Sequence, residues 1–151
     1  MLKRIREMFK NEKGLTLVEL LAVIVILAIV GAIAFVMIGN IIDNSKKDAA
    51  VADALQAIDA AKLYEIETTG ETPFPVKISV LQGTETDDPK YLDTLYDPWD
   101  KAPYGTEATD QVAKDDDKYT VALEASKCKI NATEAKLIEE GRKACGQDLS
   151  S

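Results

Sequence analysis

A run of nineteen residues without a single charge is the feature that most limits what this chain can form. It extends from Leu20 to Ile38 and reads LLAVIVILAIVGAIAFVMI. As an α-helix it would be about 28 Å long, close to the thickness of a bilayer's hydrocarbon core. A cleavable secretory signal has a shorter apolar region followed by a small-x-small site, whereas this run continues into GNIIDNSKK. The run therefore predicts a single membrane-spanning helix.

The charges on either side of the run predict its orientation. Residues 1–14 contain five bases and two acids, whereas the remaining 137 residues have a net charge of −11. Basic flanks stay in the cytoplasm, so we expect a cytoplasmic N-terminus and an exported C-terminal part. The acidic balance of that part argues against nucleic-acid binding. The chain has no histidine, the commonest general base and metal ligand, and this argues against an enzyme.

From Asp43 onwards the sequence is polar but rich in helix formers. Apolar residues recur there at three- and four-residue spacing, which is typical of an amphipathic helix: Val51, Leu55, Ile58 and Ala61. We therefore predict one helix from about Thr16 to about Glu67. Gly70, Pro73 and Pro75 are expected to end it.

The C-terminal part contains shorter patterns. Val76 to Leu81 is consistent with a strand or a single turn of helix, and KYLDTLYDPWDKAPYG is loop-like. Tyr119 to Glu124 and Lys127 to Ile130 predict two strands, and Thr133 to Ala144 predicts a short helix. The whole pattern predicts an α+β fold in which the long helix packs on a small antiparallel sheet.

The two cysteines, Cys128 and Cys145, both follow the predicted membrane span. On the exported side of the membrane disulfides persist, so a disulfide between them is the prediction. A shared metal is the alternative, but two thiols without a histidine make a poor zinc site.

The residues just before the apolar run, Lys13 to Glu19, read KGLTLVE. Together with the basic start, this segment resembles the class III signal of type IV prepilins, pseudopilins and competence pilins. The resemblance implies that a prepilin peptidase cuts between Gly14 and Leu15 and methylates the new amino terminus of Leu15. It divides the chain into a leader (1–14), a membrane and filament-core helix (15–42), its amphipathic continuation (43–69) and a disulfide-pinned, β-rich head (70–151). Many members have a proline where this chain has Val36.

Glu19 would become the fifth residue of the processed chain. A carboxylate in a membrane helix is costly and usually has a partner. Cleavage would create an α-ammonium group on Leu15 that could pair with Glu19 of a neighbouring subunit and set the assembly register. Alternatively, Thr16 to Glu19 fits a capping box, in which Glu19 stabilises the start of a helix beginning there.

The segment from Asp97 to Gly105 resembles the DPW segment of major pseudopilins, which often bind calcium in the following loop. Asp97 and Asp100 would be the ligands if calcium bound here, although acid-rich loops are usually just solvated. A structural role, with Trp99 and Tyr104 covering the sheet, is the main expectation. No cofactor is predicted.

The resemblance implies a structural subunit of a surface filament, favouring a type IV pilin from a Gram-positive bacterium. The expected partners are further copies of the chain, the prepilin peptidase, an assembly platform with its ATPase and, before assembly, the cytoplasmic membrane. A secretion pseudopilin or a competence pilin for DNA uptake is the alternative within the family. A permanently anchored extracytoplasmic binding module is the alternative of another class.

Overall fold

The computed structural model describes the backbone of residues 2–68, 74–84, 89–146 and 148–149, and the side chains of residues 16–68, 74–84 and 89–146. The chain divides into two compact units, residues 1–42 and residues 43–151. The second unit, residues 43–151, is the head.

Helix α1, Leu2–Glu67, is 66 residues long and contributes to both units. It confirms the predicted helix between Thr16 and Glu67 and passes through Val36 without interruption. No proline lies within it, and its interior is rich in alanine and leucine, which have high helix propensity. The helix does not begin at residue 16, because its backbone is already helical from Leu2.

The head contains a five-stranded sheet whose strands are ordered as in the sequence, β1-β2-β3-β4-β5. The first four are antiparallel, and the two-residue β5 pairs with β4 in parallel. The elements after α1 are β1 (Val76–Lys77), α2 (Ile78–Leu81), β2 (Gln111–Asp115), β3 (Lys118–Ala125), β4 (Cys128–Thr133), α3 (Glu134–Glu140), a 3-10 turn (Gly141–Ala144) and β5 (Asp148–Leu149).

Alternation along the strands places one face of the sheet in the core. In β3, Val121, Leu123 and Ala125 are buried, while Glu124 between them is exposed. Val121 lies opposite Val112 of β2 on one side and Ala132 of β4 on the other, and all three are fully buried. This period-two burial is what a sheet with one covered face requires.

The second half of α1 supplies the other side of the core. Its buried positions are mostly small, and this leaves room for larger side chains such as Ile78 and Leu137 in the same cluster. The buried residues of α1 are Ala50, Val51, Ala54, Ala57, Ile58, Ala60 and Ala61. The structure therefore confirms the α+β fold, with the long helix packed on a small, mainly antiparallel sheet.

Polar contacts fasten α1 to the rest of the head. Glu65 accepts hydrogen bonds from Lys114 of β2 and from the Tyr119 hydroxyl of β3. Lys62 pairs with Glu134 of α3 at 2.6 Å. These contacts are partly shielded from water, so they hold the end of α1 in one register on the sheet.

Candidate functional site: an apolar helix face, one carboxylate and a tied loop

Where its side chains are described, from residue 16 to residue 42, the N-terminal unit is an apolar helix that buries none of its large side chains. Every valine, leucine, isoleucine, phenylalanine and methionine from Leu17 to Ile42 is at least 50% exposed. Among the described residues, α1 is the one helix long and apolar enough to cross a membrane. Exposed apolar surface on this scale is strongly unfavourable in water. The unit therefore requires lipid or other protein around it, and the helix supports membrane anchoring.

Glu19 is the one acid between Leu17 and Ile42, and its side chain is exposed on α1. The capping-box interpretation is wrong for the unprocessed chain, because the helix begins at Leu2 and the first turn contains no acid. Glu19 therefore lies within a continuous helix and cannot contribute to a helix start at Thr16. The carboxylate remains a charged group at the edge of an apolar surface.

Gly14 and Leu15, the predicted cleavage and methylation positions, lie within the helical backbone of α1. The side chain of Leu15 falls outside the described part of the chain. Along α1, Leu15 lies about one helical turn before Glu19.

Cys128 and Cys145 form a disulfide with a Cα–Cα distance of 5.1 Å. Cys128 begins β4, and Cys145 follows the 3-10 turn. The backbone N–H of Gly146 donates to the carbonyl of Lys129 at 2.8 Å, next to the disulfide. The predicted disulfide is therefore present and ties the C-terminal segment to β4. Closing a loop with a sequence separation of 17 residues contributes about 3 kcal/mol in the chain-entropy model.

The loop from Asp97 to Tyr104 is organised by buried carboxylates. The side chain of Asp97 accepts hydrogen bonds from the N–H of Trp99 at 2.7 Å and from the N–H of Ser126 at 2.6 Å. Burial by itself would raise the pKa of Asp97, but these backbone donors outweigh it and the pKa lies below its usual value. Asp97 thus joins the loop to the turn between β3 and β4 as an ionised acceptor.

Asp110 has a similar role and was not singled out by the sequence. Its two side-chain oxygens accept hydrogen bonds from the N–H groups of Gly105 and Glu124, both at 2.9 Å. Gly105 has a φ of +88°, and a Cβ there would lie 2.9 Å from the backbone nitrogen of Ser79. This position therefore requires glycine. The backbone of the loop at Gly105 thus packs directly against the backbone of Ser79.

The two aromatic residues of the loop have different positions. Tyr104 is 3% exposed and belongs to the core. Trp99 is partly buried against the core, and its indole N–H donates to Asp43 of α1 at 3.2 Å. The expected structural role of this segment is consistent with these contacts.

The residues suggested for calcium, Asp97 and Asp100, point their oxygens at the protein backbone. Asp100 accepts a hydrogen bond from the N–H of Ala102 at 2.9 Å. Within the described residues, no group of three or more acidic or cysteine side chains is arranged to hold a metal ion. Calcium prefers six to eight oxygen ligands. The geometry of the two aspartates therefore fits hydrogen bonding that stabilises the loop better than it fits the binding of a cation.

Comparison with known proteins adds one match. Residues 9–35 match a family model described as the prokaryotic N-terminal methylation motif. The match covers 27 of the 151 residues and includes Gly14, Leu15 and Glu19. No curated protein and no solved structure matches the chain significantly. The chain thus carries, on a long apolar helix, the class III signal found in type IV pilins, and this motif implies processing by a prepilin peptidase.

Proposed function

We propose that the chain is the structural subunit of a type IV pilus-like filament on the cell surface. The observation that carries the proposal is the combination of the methylation motif with a helical segment, Leu17 to Ile42, whose large apolar side chains are all exposed. Such a helix can leave the membrane only if other apolar surface replaces the lipid. A bundle of identical helices provides that surface, and the folded heads would face outwards.

Processing would then convert an anchored precursor into an assembly-competent subunit. Removal of residues 1–14 takes away the basic leader and creates an ammonium group on Leu15, which stays charged after methylation. Glu19 of a neighbouring copy is the partner that we assign to this group. The attraction at ~4 Å approaches 4 kcal/mol at an effective dielectric constant of about 20, before desolvation is subtracted.

The other partners follow from the same proposal. The subunit would be held in the cytoplasmic membrane with its N-terminus inside, and an assembly platform with its ATPase would extract it. The structural role accords with a motif that belongs to non-enzymatic pilins. Within this class, a pilin of a Gram-positive bacterium is our first choice, and a secretion pseudopilin or competence pilin is the second.

N-terminal mass spectrometry of the native protein tests this proposal. We expect a chain that starts at an N-methylated Leu15 and is the main component of purified surface filaments. Glu19→Val should still be cleaved but should lose most filament assembly, because the ammonium group would have no partner. Glu67→Val is a matched control, since it removes an exposed acid from the other end of the same helix.

An unprocessed N-terminus in all copies of the native protein would contradict the proposal and would favour a permanently anchored binding module. Normal filaments from Glu19→Val would remove the role assigned to Glu19. Equal loss of assembly in Glu67→Val would show that any lost acid on α1 has the same effect.

A further inference from the structure

We propose that the end of the head nearest the membrane-spanning run binds the anionic headgroups of phospholipids before the subunit is assembled. We call the surface formed by Lys46, Lys47, Trp99 and Lys127 the basic collar. This inference rests on the proposed membrane-anchored precursor and adds a specific partner to it.

The collar is adjacent to the apolar run along the chain. The apolar side chains of α1 end at Ile42, and Asp43, Lys46 and Lys47 follow within five residues on the same helix. Five residues of helix span about 7.5 Å, which is within the headgroup layer of a bilayer. If the run spans the membrane, these lysines lie at its outer surface.

Two residues distant in sequence are brought to the same place. The Trp99 indole N–H donates to Asp43 at 3.2 Å, and Lys47 pairs with the same carboxylate at 3.0 Å. Lys127 is exposed in the turn between β3 and β4 and acts electrostatically on Asp43. Asp43 is therefore in direct contact with both Trp99 and Lys47.

The buried carboxylate of Asp97 fixes this arrangement. One of its oxygens accepts the N–H of Trp99 and the other accepts the N–H of Ser126, the residue before Lys127. The loop carrying Trp99 and the turn carrying Lys127 are thus held together by one buried group. The fold of the head therefore fixes the backbone segments that carry Trp99 and Lys127 relative to each other.

The charge of the collar contrasts with that of the head. Residues 43–151 carry 13 bases and 23 acids, a net charge of −10. The collar has three lysines against Asp43, which pairs with Lys47, and against the ionised Asp97, so its net charge is about +1. The neighbouring Asp100 and Lys101 have opposite charges. An acidic head would be repelled by an anionic membrane, whereas a local positive surface would be attracted. Tryptophan and lysine are also the residues that sit at membrane interfaces, where an apolar body and a polar tip can both be satisfied.

The single tryptophan of the chain makes the proposal measurable. The full-length protein is placed in nanodiscs of pure phosphatidylcholine or of phosphatidylcholine with phosphatidylglycerol. In the anionic discs we expect Trp99 emission at shorter wavelength and acrylamide quenching reduced by about twofold, and both differences should shrink in high salt.

The variant K46E/K47E/K127E should lose this dependence on anionic lipid. The matched control K77E/K90E/K118E makes the same change in charge at three exposed lysines outside the collar and should keep it. Lys118 begins β3, whereas Lys127 lies in the turn after β3 ends, so the two variants compare lysines at opposite ends of this strand.

Lipid-independent Trp99 emission in the wild-type chain would overturn the collar alone, because the chain would still be anchored. An equal loss in the control variant would also overturn it, since net charge and not position would then decide the response. A chain that does not enter the discs at all would overturn both the collar and the proposed membrane stage.

Discussion

Two carboxylates of α1 have pKa values that are shifted from the usual values in opposite directions. At Glu65, hydrogen bonds from Lys114 and then from Tyr119 lower the pKa, because they favour the ionised form. At Asp53, burial raises the pKa to about 6, and the charge of Lys101 only partly offsets this. The charge of Asp53 also acts on the buried Tyr104 hydroxyl, whose pKa is raised first by burial and then by this carboxylate. When ionised, Glu65 therefore stabilises the fold, whereas Asp53 destabilises it.

Asp53→Asn should stabilise the head at pH 7 by about 1 kcal/mol, after allowance for screening at this half-buried site. The folded-state pKa lies above the unfolded value, so the unfolded chain ionises first as pH rises. Stability is therefore lost between about pH 4 and pH 6, and Asn avoids that loss. Denaturant titration of the detergent-solubilised chain, followed by Trp99 fluorescence, measures the difference at pH 7 and pH 4.

Asp117→Asn, in the exposed turn between β2 and β3, is the control. Groups with lowered pKa, such as Glu65 and Asp97, lose their stabilisation on acidification in every variant, so the comparison between variants cancels them. The same gain for Asp53→Asn at both pH values would contradict ionisation as its cause.

At the scale of the element, the buried face of α1 is a packing surface of small residues. Ala54 is fully buried, whereas Ala52 is exposed on the other side of the same helix. Ala54→Leu should destabilise the head by about 1–3 kcal/mol because the larger side chain overfills a packed core. Ala52→Leu introduces the same residue where there is space and should change stability by less than about 0.5 kcal/mol.

The midpoint of the same denaturant titration checks both alanine variants. Equal destabilisation would mean that leucine acts through the helix itself and not through packing on the sheet. Little effect from Ala54→Leu would mean that the core at this helix is loosely packed.

The sequence predicted the long helix and the strands β3 and β4 well, because their patterns are local. It predicted the helix stripe less accurately: Val51, Ile58 and Ala61 are buried, but Leu55 is only partly buried, and alanines fill most of the face. Strand β2 was missed because five residues with one buried valine carry little signal. Its hydrogen bonds come from pairing with β3, which no local pattern reveals.

In the candidate site, too, features with a local sequence pattern could be predicted, whereas those that depend on the tertiary fold could not. Glu19 and the cysteines could be read from type and spacing, whereas the joining role of Asp97 depends on Ser126, 29 residues away. The Asp-Pro-Trp order did offer a clue, since an aspartate commonly accepts the N–H of the second residue after it. Asp110 gave no such sign, because both of its donors are fixed only by the tertiary fold.

At the scale of the whole molecule, the two units differ in how their apolar side chains are shielded from water. The head buries its own core and is closed by a disulfide. The N-terminal unit buries none of its large apolar side chains within the described residues and depends on its surroundings. A disulfide is stable in an oxidising compartment, whereas basic residues such as those of 1–14 favour the cytoplasmic side of a membrane. The proposed topology meets both requirements, because the chain would cross the membrane once between residues 1–14 and the head.

This topology can be tested with a single free thiol on each side of the membrane. Cys128→Ser breaks the disulfide and leaves Cys145, which is only partly buried, free to react. We expect a membrane-impermeant maleimide to label this variant in intact cells, to an extent that permeabilisation does not increase. The control combines Glu7→Cys with both Cys128→Ser and Cys145→Ser, so that the one thiol is in the leader. In cells lacking the prepilin peptidase it should be labelled only after permeabilisation. Labelling of Cys145 that required permeabilisation would place the head inside the cell, where it could form no surface filament.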